Sequence, residues 1–197
     1  HELINIEFIY HILFHSPNQE DTNQSTSLYP VSILIALYNK RQYLPRSMSS
    51  ILNQTLKNIE VVICDDGSTD GSYEYVQNLS LIDKRIKIIR FEQNQGTYVA
   101  RITAVRHSQG EFIFFCDADD EIAPEAAESD YNLAIETGAD IVEHILGKFG
   151  RNTIQFSIGI HQISQLHILT QLSKNSWLID SIGIFIEKSF DVQYSSE

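Results

Sequence analysis

The chain has 197 residues, 14 basic against 26 acidic, and a formal net charge of −12. At roughly 150 residues per domain this is one domain with extensions, large enough to fold without disulfides or a metal. The acidic balance argues against a nucleic-acid partner, which needs clustered Lys and Arg along a phosphate-tracking face.

Residues 3–14 are almost continuously apolar and predict a short leader helix, and residues 16–27 form a polar, turn-forming linker. The start carries neither Met nor the charged region of a signal peptide, so the chain reads as a fragment of a longer protein. Val31 to Leu37 is a short apolar run of the kind expected for a strand buried on both faces. Arg41 to Thr55 then carries Leu44, Met48, Ile51 and Leu52 at helical spacing. Ile59 to Cys64 predicts a second strand, Tyr73 to Leu79 a helix, Ile86 to Phe91 a third strand and Thr97 to His107 a helix. Gly110 suits a helix stop, and Phe112 to Cys116 predicts a fourth buried strand. Pro124 precedes a helix over Glu125 to Thr137, and Ala139 to Leu146 predicts a fifth strand. From Gly147 the alternation is lost, with helices expected over 163–172 and 177–190.

This alternation predicts an α/β three-layer sandwich with a mostly parallel sheet and right-handed crossovers. Cys64 and Cys116 end apolar runs and read as buried free thiols of a reducing compartment. No run approaches the ~18–20 apolar residues of a membrane span, so a cytoplasmic or membrane-peripheral protein without a transmembrane segment is expected. His107, His144, His161 and His167 show no metal-ligand spacing with one another, and no Gly-x-Gly-x-x-Gly follows the first strand, which excludes a dinucleotide-binding oxidoreductase.

Three strands end in polar clusters: Tyr38-Asn39, Asp65-Asp66-Gly67-Ser68-Thr69-Asp70, and Asp117-Ala118-Asp119-Asp120-Glu121. In open α/β sheets ligands bind at the carboxyl ends of strands, where strand order reverses. The third cluster concentrates repelling carboxylates, which a divalent cation would stabilise; hard oxygen donors favour Mg²⁺ or Mn²⁺. The Phe112 to Asp119 run also fits a haloacid-dehalogenase-type phosphatase, but Glu121 stands where that chemistry wants Thr or Val.

Together with Val31 to Asn39, Asn53-Gln54-Thr55, Asn94-Gln95-Gly96 and Ala100-Arg101, these clusters resemble the nucleotide-sugar half of family 2 glycosyltransferases of GT-A fold. The resemblance covers about residues 30–147, leaving 1–29 as leader and linker and 148–197 as a partial acceptor-side or helical segment. It implies a strand order of 3-2-1-4, with no Cys64–Cys116 disulfide. Strands two places apart lie roughly 9–10 Å from one another, beyond the ~7 Å reach of the bridge. It assigns Ala36, Tyr38, Asp65, Asp66, Arg101, Asp117 and Ala118 to the nucleotide-sugar site, and Asp117 and Asp119 to a Mn²⁺ or Mg²⁺ ion. Within that set, Tyr38 stacks on the base, Asp66 contacts base or ribose with Asp65 in support, and Arg101 places the donor.

The implied activity is inverting, metal-dependent transfer of a hexosyl or N-acetylhexosaminyl group. The donor is a nucleotide-diphosphate sugar, such as a UDP-sugar, and the acceptor a hydroxyl on a glycan or glycoconjugate. The chain departs from the family pattern at Ile102, Ala104 and Ala36, where Asn, Gly and Pro are usual. No acidic pair near the end matches the family's base, and elimination leaves Asp180, Glu187 and Asp191. These departures motivate a second reading, a catalytically silent nucleotide-sugar-binding module.

Overall fold

A computed structural model describes residues 27–139, 141–149, 152–161 and 182–187. The helices expected over 3–14 and 163–172 lie outside them. The elements run β1 (Tyr29–Leu37), α1 (Leu44–Leu52), β2 (Ile59–Asp65), α2 (Ser72–Ile82), β3 (Ile86–Arg90), α3 (Thr97–His107) and β4 (Gly110–Phe115). They continue with α4 (Ala126–Thr137), β5 (Ile141–Phe149), β6 (Asn152–His161) and β7 (Ile182–Glu187).

One seven-stranded sheet has the order β3-β2-β1-β4-β7-β5-β6. The first four strands pair in parallel, with Ile33 opposite both Val61 on β2 and Phe114 on β4. The order 3-2-1-4 is therefore borne out. Alternation along these strands divides two apolar layers. Ile33, Ile35, Leu37, Val61, Ile63, Phe112 and Phe114 meet Leu44, Met48 and Ile51 of α1, Val76 of α2 and Ala126, Ala127 and Ala134 of α4. Leu34, Val62, Cys64, Ile113 and Phe115 face Ala100, Ile102, Ala104 and Val105 of α3. Both sheet faces are thus covered, which is why the strands read as continuous apolar runs rather than alternating ones. Each fully buried Ile or Leu contributes about 1.5–3 kcal/mol. Cys64 and Cys116 are free and buried, in opposite layers.

Beyond β4 the pairing turns antiparallel, with β4 to β7, β7 to β5 and β5 to β6. The loss of pattern expected at Gly147 and the helix expected over 177–190 are both corrected here. β5 continues to Phe149 and pairs with β6, while Ile182–Glu187 is a strand between β4 and β5. The apolar run Ile-Gly-Ile-Phe-Ile fits helix or strand locally; two open sheet edges decide for strand by supplying partners for its backbone.

Gly110 is a second correction. It opens β4 instead of ending α3, which stops at His107. A Cβ there would lie 2.4 Å from Ser32 Oγ and 2.5 Å from Ser32 N. The close approach serves a buried polar knot: the Gly110 N–H donates to Ser32 Oγ at 2.7 Å, and Ser32 Oγ donates to Glu60 Oε1 at 2.5 Å. Glu60 also accepts from the backbone N–H groups of Gln109 and Gly110, so its buried carboxylate is multiply bonded.

Candidate functional site

Strand order reverses between β1 and β4, since β2 leads away from β1 on one side and β4 lies on the other. The chain leaves both strands at this edge, which in open α/β sheets is where neighbouring loops diverge and a ligand crevice forms. From the β1 side come Tyr38, 44% exposed, and Lys40. From the β4 side come Asp117 and Asp119. Lys40 Nζ meets Asp119 Oδ2 at 2.5 Å, both side chains about one-third exposed. The hydrogen bond to Asp119 raises the Lys40 ammonium above its ordinary value, against a smaller opposing effect of burial. Arg101 reaches the other carboxylate from α3, its Nη2 lying 2.7 Å from Asp117 Oδ1. Ala118 between the two Asp residues is buried in the apolar layer, whereas the Asp117 and Asp119 side chains are 45% and 31% exposed. Ala36 is half-buried against the α3 layer.

The β2 loop is built by its own side chains. The Asp66 carboxylate accepts the backbone N–H of Gln95 at 2.7 Å and of Gly96 at 2.9 Å. Gly67, at φ +75°, lets this loop approach residues 93–94; a Cβ would sit 3.0 Å from Asn94 N. Ser68 Oγ accepts the Asn39 N–H and Ser72 Oγ the Lys40 N–H, each at 3.0 Å. Asp70 Oδ2 accepts the Arg41 N–H at 2.9 Å, and Asn39 Oδ1 accepts the Thr69 N–H at 2.8 Å. Asn39 takes the left-handed conformation, φ 51°, which Asn tolerates better than most residues. The β1 and β2 loops are thus stitched into one wall of the crevice.

Asp65 lies beneath this wall, its side chain 0% exposed, with Arg90 Nε 3.4 Å from Oδ2. The Ser68 N–H donates to the same oxygen at 3.3 Å, while Oδ1 has no hydrogen-bond partner among the described residues. Burial pushes the Asp65 carboxyl up, against hydrogen bonds from Ser68 and the Arg90 charge. Burial likewise opposes ionisation of Asp70, but hydrogen bonds from Ser72 and Arg41 outweigh it and hold its carboxyl low. The Cys64 thiol is pushed up to about 12 by burial first, then by Asp66 and Asp65. Such a thiol is inert at neutral pH.

The family model for glycosyl transferase family 2 matches residues 32–186. This chain belongs to glycosyl transferase family 2. A glycosyltransferase of Haemophilus influenzae is 40% identical over 106 residues, 54% of this chain and 42% of that protein. The poly(ribitol-phosphate) beta-N-acetylglucosaminyltransferase TarP of Staphylococcus aureus is 36% identical over 126 residues, 61% of this chain and 36% of that protein. The chain thus spans less than half the length of these relatives. Among solved structures, S. aureus TarS 1-349 in complex with UDP-GlcNAc superposes with a TM-score of 0.54 at 27% identity. That superposition covers 67% of this chain and 37% of TarS 1-349.

Within this family 2 chain the predicted residues divide. Asp117 and Asp119 share the crevice with Arg101 and Lys40. Asp65 and Asp66 make no hydrogen bond or ion pair to them; their carboxylates bind Arg90, Ser68 and the 95–96 backbone. Among the described residues, no group of three or more His, Cys, Asp or Glu is placed to hold a metal, and no helix is long and apolar enough to cross a membrane. Glu187 pairs with Phe112, roughly 15 Å back along the strand from Asp117, whereas Asp180 and Asp191 lie outside the described residues. Sequence reasoning passed over Lys40. Its one local signal is the basic pair Lys40-Arg41, which begins two residues beyond Tyr38, at the strand end beside the reversal.

Proposed function

We propose that this chain is the donor-binding half of an inverting glycosyltransferase that moves a sugar from a UDP-sugar to a hydroxyl of a glycan or glycoconjugate. The single observation carrying the reading is the contact of Lys40, beyond the β1 end, with Asp119, beyond the β4 end, at the reversal of strand order, beside the exposed Tyr38. The UDP-GlcNAc bound in the related TarS structure supports the nucleotide and an N-acetylhexosamine as the sugar.

Each residue has a physical part. The exposed Tyr38 ring offers a face for the base. Asp66 holds the 95–96 backbone at the entrance, and Asp65 supports the loop after β2 from below through Ser68. Arg101, pinned in the core, fixes the orientation of Asp117. The donor set fits a divalent cation delivered with its diphosphate: the partly exposed carboxylates of Asp117 and Asp119 would supply hard oxygens, with substrate phosphates and water as the remaining ligands. Such an ion supplies Lewis-acid stabilisation of charge on the departing diphosphate.

Thermal unfolding with UDP-GlcNAc or UDP, with and without Mn²⁺, tests the reading. Saturation at 100 times Kd adds about 2.7 kcal/mol of stability. We expect a Mn²⁺-dependent rise that Asp119→Ala removes and Tyr38→Ala diminishes. No rise with any nucleotide sugar overturns the donor site, and an unchanged rise in Asp119→Ala overturns the metal assignment.

A catalytically silent binding module is favoured by one observation: Ile102, where Asn is usual in the family, is buried in the apolar α3 layer. Donor binding without transfer across hydroxyl acceptors, measured on the full-length protein, selects that reading.

A further inference from the structure

We infer that Lys40 is a tethered cation that holds Asp119 while no divalent ion is present and competes with that ion for it. This rests on the reading of Asp119 as a cation ligand and adds a residue that the family motifs leave aside.

The two cations facing the carboxylate pair are held differently. The Arg101 side chain is 10% exposed, with its guanidinium 2.7 Å from Asp117, so it is a fixed part of the core. Lys40 and Asp119 are 38% and 31% exposed at 2.5 Å. Water reaches both partners, and an ammonium on a four-carbon stem is a movable point charge where a buried guanidinium is not. The base of Lys40 is anchored. Its N–H donates to Ser72 Oγ at 3.0 Å, and its carbonyl accepts the Tyr43 N–H at 2.9 Å. Only the side chain needs to move. A resting place lies beside it, because Nζ is 5.7 Å from the centre of the half-exposed Tyr43 ring, within reach of a cation–π contact.

Charge makes the exchange self-regulating. With Lys40 and Arg101 in place, the two carboxylates are neutralised and repel neither each other nor an incoming diphosphate. A divalent ion arriving with phosphate oxygens outbids a single ammonium for Asp119, whereas the same ion alone faces a competitor already in position. Lys40 therefore biases the site toward taking the ion together with its nucleotide.

Titration of the full chain with Mn²⁺ alone, following free Mn²⁺ by electron paramagnetic resonance, tests this. Lys40→Met keeps the stem and removes the charge; we expect it to bind Mn²⁺ about two- to fivefold more tightly than the native chain, less so at high salt. Lys40→Arg keeps the charge and should show no such gain. Equal or weaker Mn²⁺ binding by Lys40→Met overturns the inference. Failure of the underlying site is read separately, from Asp119→Asn binding Mn²⁺ with UDP as well as the native chain does.

Discussion

Arg101 Nη2 lies 2.7 Å from Asp117 Oδ1, with the arginine side chain 10% exposed and the carboxylate 45%. The pair crosses from the third helix to the end of the fourth strand, so one ion pair couples the α3 layer to the crevice. Removing Asp117 strands a guanidinium that cannot reach bulk water without leaving the core. Asp117→Ala should therefore cost about 1.5–3 kcal/mol, the range for a hydrogen bond to a charged group. Urea unfolding measures it, and a loss below about 0.5 kcal/mol would mean the pair is merely a surface contact.

Asp66 accepts two backbone N–H groups, one on each oxygen. Asp66→Asn keeps the shape but turns one acceptor into an NH₂ facing a donor. The expected loss is about 1–3 kcal/mol, with faster hydrogen exchange at Gln95 and Gly96. Unchanged exchange there would show that the loop is held by other contacts.

Gly110→Ala places a methyl against both Ser32 Oγ and the backbone nitrogen of Ser32. Overpacking of this kind costs about 1–3 kcal/mol or more. Adding Ser32→Ala removes the hydroxyl but leaves the nitrogen, so the double variant should remain destabilised. Full rescue by the second substitution would locate the clash in the hydroxyl alone.

Asp83 accepts the Arg85 guanidinium at 2.7–3.2 Å and the Arg85 N–H at 3.0 Å. The side-chain bond from Arg85 holds its carboxyl below the usual range. Its folded pKa is thus lower than its unfolded value of about 3.9. The stability it contributes is present above that value and is lost as pH falls through the folded pKa. Asp83→Asn should unfold earlier than the native chain at pH 7, by at most about 1 kcal/mol. The gap should close in strong acid; a gap unchanged by acid would refute the assignment.

The parallel half of the fold was legible because burial on both faces writes continuous apolar runs, and because Asp, Gly and Ser gather where strands end. Asp117 and Asp119 could be singled out for the same reason. The antiparallel extension was not legible: Ile182-Gly-Ile-Phe-Ile carries no period that separates helix from strand, and its strand form depends on the open edges of β4 and β5. Gly110 misled for a related reason. A glycine after a helix is an ordinary stop, and only the approach of Ser32, distant in sequence, gives it another purpose.

By itself, the sequence determined the layers, the strand ends and the acidic character of one sheet edge, since these follow from local periodicity and residue chemistry. Part of the −12 net charge falls in the Asp117 to Glu121 cluster, whose repelling carboxylates a divalent cation would stabilise. Tertiary structure added that each of the two central carboxylates also has a cation of the chain's own. Lys40 is 79 residues from Asp119 and Arg101 sits on a different element from Asp117. Such pairs are set by strand order, which brings distant loops to one crevice, and no local pattern records them.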